Sequence, residues 1–300
     1  MINQKKVLVI LGPTASGKSD LAIKLARKFQ GELISADSRQ VYRGMDVATA
    51  KLVPPRGIKQ QLVSIVDPDK PYSVQRFKED AAKAIALIHK RKKLPIVVGG
   101  TALFIDALVE NWDVPQIPPD KKLRTKLERE LEKHGLSHLV EKLERLDPLV
   151  SARVDAKNAR RVIRAIEVAS AIGNSSITGR TKKGMHYDVL KLGIQMDRTI
   201  LRERIDKRVR QMMTHGLIEE TRRLRRRYDL SLPSMSGIGY PEVALYLDKK
   251  ISKEECIEKI VTHTYQYAKR QMTWWKRDKS IFWTDSAEEA KKLTKDWLRL

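Results

Sequence analysis

Gly12-Pro13-Thr14-Ala15-Ser16-Gly17-Lys18-Ser19 (GPTASGKS) decides the reading of this chain. The eight residues satisfy G-x-x-x-x-G-K-[ST] in full. Before them stands a continuous apolar run, Val7-Leu8-Val9-Ile10-Leu11, which reads as a buried parallel strand. After them Leu21, Ala22, Leu25, Ala26 and Phe29 recur at helical spacing. Strand, loop and helix in this order give the spacing its physical meaning. Gly12 and Gly17 let the backbone curl, and the amides and the helix N-terminus then point at a phosphate. Lys18 adds a cation, and Ser19 places a hydroxyl within reach of a Mg²⁺ ion. The motif says that phosphate binds and leaves the phosphate compound open.

Working outward, Glu32–Ser35 and Leu62–Val66 read as further strands. Residues 73–92 read as a helix with Phe77, Ala81, Ala84, Ile85 and Ile88 on one face. Pro95–Val98 is a strand closed by Gly99-Gly100-Thr101. Strands alternating with helices predict the α/β class, a parallel doubly wound sheet of the P-loop NTPase-like kind. The prolines in Val114-Pro115-Gln116-Ile117-Pro118-Pro119 mark a boundary. From about 120 to 185 the chain is helical and highly charged, without a strand-like run. The expected organisation is a core domain, 1–114 plus 186–300, interrupted by a helical insertion domain, 115–185. In the returning core, Val189–Met196 and Ile281–Thr284 read as strands. Residues 198–227, 253–277 and 286–297 read as helices. There is no internal repeat.

The charge points to a class of partner. Lys and Arg number 60 against 37 Asp and Glu, a net charge of +23. Such an excess favours a polyanion, because binding phosphates releases their condensed counterions. Nucleic acid comes first and an anionic membrane surface second; a merely basic surface is the remaining alternative. The single cysteine, Cys256, excludes an intrachain disulfide and fits a reducing cytosol. His134 and His138 stand four apart, but nothing completes a zinc site around them, and they read as surface residues. No apolar run is long enough to span a membrane, and Val7–Leu11 is too short for a signal peptide. A cytoplasmic protein without a membrane partner is therefore expected, with a monomer as the default state.

A phosphotransfer enzyme normally holds Mg²⁺ with an aspartate after another apolar strand. Asp37, after Leu33-Ile34-Ser35-Ala36, and Asp67, after Leu62–Val66, both qualify, whereas the strand Pro95–Val98 ends without an acid. The signs of an ordinary nucleotide hydrolase are thus incomplete.

Further stretches carry a resemblance. GPTASGKS is followed by Asp37-Ser38-Arg39-Gln40-Val41-Tyr42-Arg43-Gly44-Met45-Asp46, then Thr49-Ala50-Lys51 and Gly99-Gly100-Thr101. Next come Arg160-Arg161-Val162-Ile163-Arg164-Ala165-Ile166-Glu167-Val168, Gly239-Tyr240-Pro241-Glu242 and Lys269-Arg270-Gln271-Met272-Thr273-Trp274. In this order, over about residues 5 to 278, they resemble the tRNA dimethylallyltransferase family. The sequence departs from that pattern at Phe104, where Tyr is usual, at Ser19 for Thr, and at Pro241, which suits the start of a helix. Nothing matches the C-terminal zinc finger of longer eukaryotic members, so the shorter, bacterial-like form is expected.

The resemblance implies a reaction and its residues. Dimethylallyl diphosphate would give its dimethylallyl group to the exocyclic amine of an adenine beside the anticodon, releasing diphosphate. The loop Gly12, Pro13, Thr14, Ala15, Ser16, Gly17, Lys18 and Ser19 would hold the diphosphate, with Mg²⁺ at Ser19. Thr14 and Arg222 would assist catalysis, Arg222 as a second clamp; by spacing alone Arg222 is equally a solvated residue of an Arg-rich helix. Asp37 would act as general base, its other readings being a Mg²⁺ ligand or a helix cap. Asp37, Ser38, Arg39, Gln40 and Thr101 would contact the tRNA at the target base. The segment Arg160, Arg161, Val162, Ile163 and Arg164 would contact the tRNA further away. The partner would be the anticodon stem-loop, its adenine flipped out of the stack. Trp274, in an aromatic and basic C-terminal stretch, fits core packing or base stacking. Three rival readings stay open on the residues: a small-molecule kinase, an enzyme prenylating free adenine nucleotides, and a non-enzymatic RNA-binding module.

Overall fold

The computed structural model describes residues 5–113, 117, 120–172, 181–182 and 186–299. In chain order the elements are β1 (Lys5–Leu11), α1 (Lys18–Lys28), β2 (Gly31–Ser35), β3 (Gln60–Gln61), α2 (Val74–Lys90), β4 (Leu94–Val98), α3 (Ala102–Val109) and β5 (Trp112–Asp113). They continue with α4 (Lys121–Leu146), α5 (Pro148–Ser151), α6 (Ala159–Ile172), β6 (Thr181–Lys182), β7 (Tyr187–Ile194), α7 (Arg198–Thr214) and α8 (Leu217–Arg225). After a short 3-10 helix at Pro233–Ser236 come α9 (Tyr240–Leu247), α10 (Lys253–Trp275), β8 (Ile281–Thr284) and α11 (Ala287–Arg299). They form two compact units, Met1–Val109 with Met185–Leu300, and Glu110–Gly184.

In the first unit β1 lies inside a six-stranded sheet of order β3-β2-β4-β1-β7-β8. It pairs in parallel with β4, Val9 opposite Val97, and with β7, Val9 opposite Lys191. Alternation along β1 feeds two cores, as a strand covered on both faces must. Val7, Val9 and Leu11 pack with Phe77, Ala81 and Ile85 of α2, Ile105 and Leu108 of α3, and Trp275 of α10. Leu8 and Ile10 pack with Leu21, Ala22 and Leu25 of α1 and Ala290 of α11. The parallel doubly wound sheet expected from the strand–helix alternation is present.

The second unit is mainly α4 and α6. Leu127, Leu139, Leu143, Val162, Ile163 and Ile166 make its core. Glu167 is buried there and receives Arg124 through two bonds of 2.6 and 2.8 Å and Arg164 at 3.3 Å. Helix α4 breaks its helical geometry at Gly135 (φ 79°).

Several local expectations change. The strand expected at Leu62–Val66 is instead the two residues Gln60–Gln61. Leu62 and Ser64 take positive φ (63° and 54°), which ends regular pairing, and Val66 only forms an isolated bridge to Tyr42. The insertion was expected to lack strands, yet Trp112–Asp113 pairs antiparallel with Thr181–Lys182. The helix expected over 198–227 is divided at Gly216 (φ 95°). Helix α3 went unread, because it follows Gly99-Gly100-Thr101 without a polar spacer. Pro241 sits in the first turn of α9, as its missing amide hydrogen allows. Of the boundary prolines, Pro115, Pro118 and Pro119 lie outside the described residues, with Val114 and Gln116. Among the described residues no helix is long and apolar enough to cross a membrane.

Phe77 is fully buried and stacks on Phe104 at 4.3 Å. Phe104, where the resembling family has Tyr, is thus a core ring. Phe77→Ala is expected to cost about 3–5 kcal/mol, readable as a lower midpoint in urea denaturation of the first unit.

Candidate active site

The phosphate loop has the backbone its sequence demands. Gly12 takes φ 148°, and a Cβ there would lie 3.1 Å from both the Ile194 carbonyl and Ser16 Oγ. Gly17 (φ 91°) starts α1 without any side-chain cap, which leaves the first-turn amides available to an anion. Lys18 Nζ donates to the Pro13 carbonyl at 2.7 Å, so the ammonium is folded into the loop. Burial, then the charge of Arg208, lowers Lys18 to about 7, against a smaller opposing pull from Asp37. Ser16 Oγ is buried without a hydrogen-bond partner among the described residues. Ser19 is exposed at the first turn of α1.

Two side chains approach Thr14. Arg208 of α7 donates from Nη1 to Thr14 Oγ1 at 3.3 Å. Its guanidinium is driven below the ordinary arginine range by burial, with Asp37 opposing. Gln271 of α10 accepts the Thr14 amide at 2.9 Å and donates to the Gly100 carbonyl at 2.7 Å. Tyr267, one turn earlier, also donates to Gly100, at 3.2 Å. Burial and the Asp37 charge push its hydroxyl up to about 12.

Asp37 follows β2 at the sheet edge that also carries the loop. Its Oδ1 accepts the amides of Arg39 at 2.8 Å and Gln40 at 3.3 Å, which fixes the carboxylate by an Asx turn. Its charge opposes the lowering at Lys18 and Arg208 and adds to the raising at Tyr267. The Ser38 amide donates to Thr101 Oγ1 at 3.0 Å, so Ser38 and Thr101 stand side by side next to Asp37.

Other residues singled out from the sequence are placed differently. Arg39 spends its guanidinium on the Pro233 and Ser234 carbonyls and Ser236 Oγ. Gln40 accepts from Ser35 Oγ at 2.9 Å and donates to the Thr49 carbonyl at 3.2 Å, bracing the Thr49-Ala50-Lys51 turn. Arg222 is corrected outright: it pairs with Glu219 on the outer side of α8, and the arginine at Thr14 is Arg208. Val162 and Ile163 are also corrected, since both are buried in the core of the second unit and hold α6 in place. Around them Arg160 is exposed, Arg161 pairs with Asp155 at 3.1 Å, and Arg164 bonds the Ile117 carbonyl at 2.8 Å. Trp274 donates to Asp106 at 2.6 Å and packs on the core, which decides between its two readings.

Sequence reasoning assigned no place at the phosphate loop to Arg208 or Gln271 and no role to Glu220, and one signal marks the first two. Leu201, Ile205, Val209 and Met213 form the buried stripe of α7, and Arg208 falls three residues after Ile205, beside that stripe. Gln271 interrupts the buried stripe of Ile257, Ile260, Val261, Ala268 and Trp275 on α10. A polar residue on an apolar face needs a partner. Glu220 of α8 accepts the amides of Asp46 and Val47 at 2.8 Å and of Ala48 at 3.1 Å, together with the Tyr240 hydroxyl at 2.9 Å. It thereby holds the turn that follows Asp37–Tyr42.

Sheet order, loop and helix start define an α/β protein of P-loop NTPase-like fold. The comparisons narrow this. Residues 40–278 match the family model described as IPP transferase, and residues 5–56 match that described as isopentenyl transferase. A protein of Thermomicrobium roseum named tRNA dimethylallyltransferase is 41% identical over 95% of this chain and 88% of its own length. The crystal structure of a tRNA isopentenylpyrophosphate transferase from Bacillus halodurans superposes with TM-score 0.73 at 35% identity, covering 99% of this chain and 97% of that one. That of a eukaryotic dimethylallyltransferase acting on tRNA gives 0.83 at 30% identity, covering 98% and 80%. The chain belongs to the IPP transferase family, and the resemblance read from its motifs is borne out.

A lysine near 7 gives a test. At pH 8 the free protein holds Lys18 largely neutral, and a neighbouring diphosphate favours the ammonium. Binding of inorganic diphosphate is therefore expected to take up about one proton at pH 8 and to weaken as pH rises above that range. Calorimetry in two buffers of different protonation heat reads this as an uptake present in the parent and absent from Lys18→Met; equal uptake in both contradicts it.

Proposed function

We infer that this chain transfers the dimethylallyl group of dimethylallyl diphosphate to N6 of the tRNA adenosine 3′ to the anticodon, position 37, and releases diphosphate. One observation carries the chemistry: the phosphate loop, with Lys18 folded into it and Arg208 at Thr14 Oγ1, opens at the same carboxyl edge of the parallel sheet as the amide-fixed carboxylate of Asp37. The N6 lone pair forms the new bond to the allylic carbon as the carbon–oxygen bond breaks, and that electron pair leaves with diphosphate. Negative charge grows on the leaving group, where the loop amides, Lys18 and Arg208 supply fixed positive charge. Thr14, held by Arg208, presents its hydroxyl at the same place. The exocyclic amine is a weak nucleophile, because its lone pair is delocalised into the ring. Asp37 takes its proton as the bond forms.

Mg²⁺ fits this site in a limited way. Among the described residues no cluster of three His, Cys, Asp or Glu could hold an ion. A P-loop magnesium takes few protein ligands and several phosphate oxygens, so the exposed hydroxyl of Ser19 suffices. When bound, the ion neutralises charge on the leaving diphosphate. The tRNA partner is the anticodon stem-loop, its target adenine flipped out beside Ser38 and Thr101. In the insertion, Arg160, Arg161 and the basic side chains of α4 (Lys121, Lys122, Lys126 and Arg129) suit phosphate contacts. Such a protein works in the cytoplasm.

The test uses an unmodified anticodon stem-loop with an A-rich loop, Mg²⁺ and dimethylallyl diphosphate, read by RNA mass spectrometry with and without ATP. A gain of one dimethylallyl group independent of ATP is expected. Transfer to free AMP, or phosphate transfer from ATP, contradicts the reading. Asp37→Ala is expected to lower turnover by about 10²-fold or more with RNA affinity nearly unchanged. Arg208→Ala is expected to cost far more turnover than Arg222→Ala; equal effects would restore Arg222 to the site.

A further inference from the structure

We propose that Gln271 is a positioning residue that sets the spacing between the phosphate loop and the acceptor side of the site. The proposal rests on the transfer reaction above and deepens it. Gln271 is 4% exposed and sits between two backbones. One end of its amide accepts Thr14 N–H, and the other donates to the Gly100 carbonyl. Gly100 is followed by Thr101, whose Oγ1 receives the Ser38 amide next to Asp37. A hydrogen-bonded path therefore runs from the loop that would hold the leaving group to the carboxylate that would take the proton.

The contact is tight and chemically selective. A Cβ on Gly100 would lie 2.4 Å from Gln271 Nε2, so a larger residue there would require the amide to shift. A carboxamide supplies one acceptor and one donor at this reach. A leucine would leave the buried Thr14 amide without its partner and the Gly100 carbonyl with the Tyr267 hydroxyl alone. A carboxylate would keep the Thr14 bond and set an acceptor against the Gly100 carbonyl. Gln271 acts through Thr14 and Gly100, and a small displacement of one reacting group from the other is costly to rate.

The experiment compares Gln271→Glu, Gln271→Leu and the parent, in transfer kinetics from pH 6 to pH 8.5 and in hydrogen exchange. At pH 8, Gln271→Glu is expected to lower kcat about tenfold or more while both KM values move less than about threefold. A buried carboxyl facing a carbonyl titrates high, and its protonated form restores the donor. The kcat of Gln271→Glu relative to the parent is therefore expected to rise as pH falls. In Gln271→Leu, amides in peptides spanning 12–18 and 99–104 are expected to exchange faster than in the parent. A ratio flat with pH, a loss carried wholly by KM, or unchanged exchange in those peptides overturns the proposal. Inactivity of the parent on RNA would overturn the transfer reading instead, and the exchange result would still decide the coupling.

Discussion

A Cβ placed on Gly99 would lie 2.2 Å from the Ala36 carbonyl oxygen, and the site depends on that absence of room. The Ala36 amide donates to the Val98 carbonyl at 2.8 Å, Gly99 donates to Ile10 at 3.3 Å, and Thr101 donates back to the Ala36 carbonyl at 3.1 Å. These bonds carry the parallel register of β1, β2 and β4 past the ends of the strands. The phosphate loop, Asp37 and Thr101 therefore emerge at one edge of the sheet. Ligands of open parallel sheets gather at this carboxyl edge. Here the sheet brings the phosphate loop and the Asp37 carboxylate to one edge without a long loop to carry either.

The charges at that edge suit the proposed reaction, which separates charge. Lys18 and Arg208 are held in protein surroundings that disfavour their charged forms, and Asp37 is the acid that partly offsets this. In the proposed reaction an arriving diphosphate would relieve the two cations and leave the carboxylate free to meet the amine. Rigidity comes from polar groups bonded within the protein. Glu220 gathers three successive amides from Asp46 to Ala48, and Gln40 ties its own segment to the Thr49 carbonyl. Arg39 anchors the same segment to the 3-10 turn at Pro233–Ser236. Buried polar networks of this kind specify one arrangement when every member is satisfied.

The parts legible in the sequence were those where local pattern and burial agree. The GPTASGKS loop, the run Val7–Leu11 and the stripe of α2 each belong to one element with one environment. Asp37 was legible because it follows a strand directly. Leu62–Val66 misled because its apolar residues suit a strand, whereas positive φ at Leu62 and Ser64 is a tertiary decision no local pattern records. Arg208 was hidden among the many charges of α7, and Arg222 was conspicuous in an Arg-rich run although its own side chain pairs with Glu219. Val162 and Ile163 came with a family segment taken whole, although alternate faces of its helix serve the core and the surface. Family likeness names segments; only packing says which side chains in them reach a ligand.

The most direct test of the central claim is a crystal structure of the protein with an anticodon stem-loop and a non-reactive thio analogue of dimethylallyl diphosphate. The account requires the diphosphate in the Gly12–Ser19 loop, Arg208 and Thr14 beside it, and the target adenine N6 within hydrogen-bond reach of Asp37. A diphosphate bound elsewhere, or an adenine N6 whose nearest acceptor is not Asp37, would contradict it.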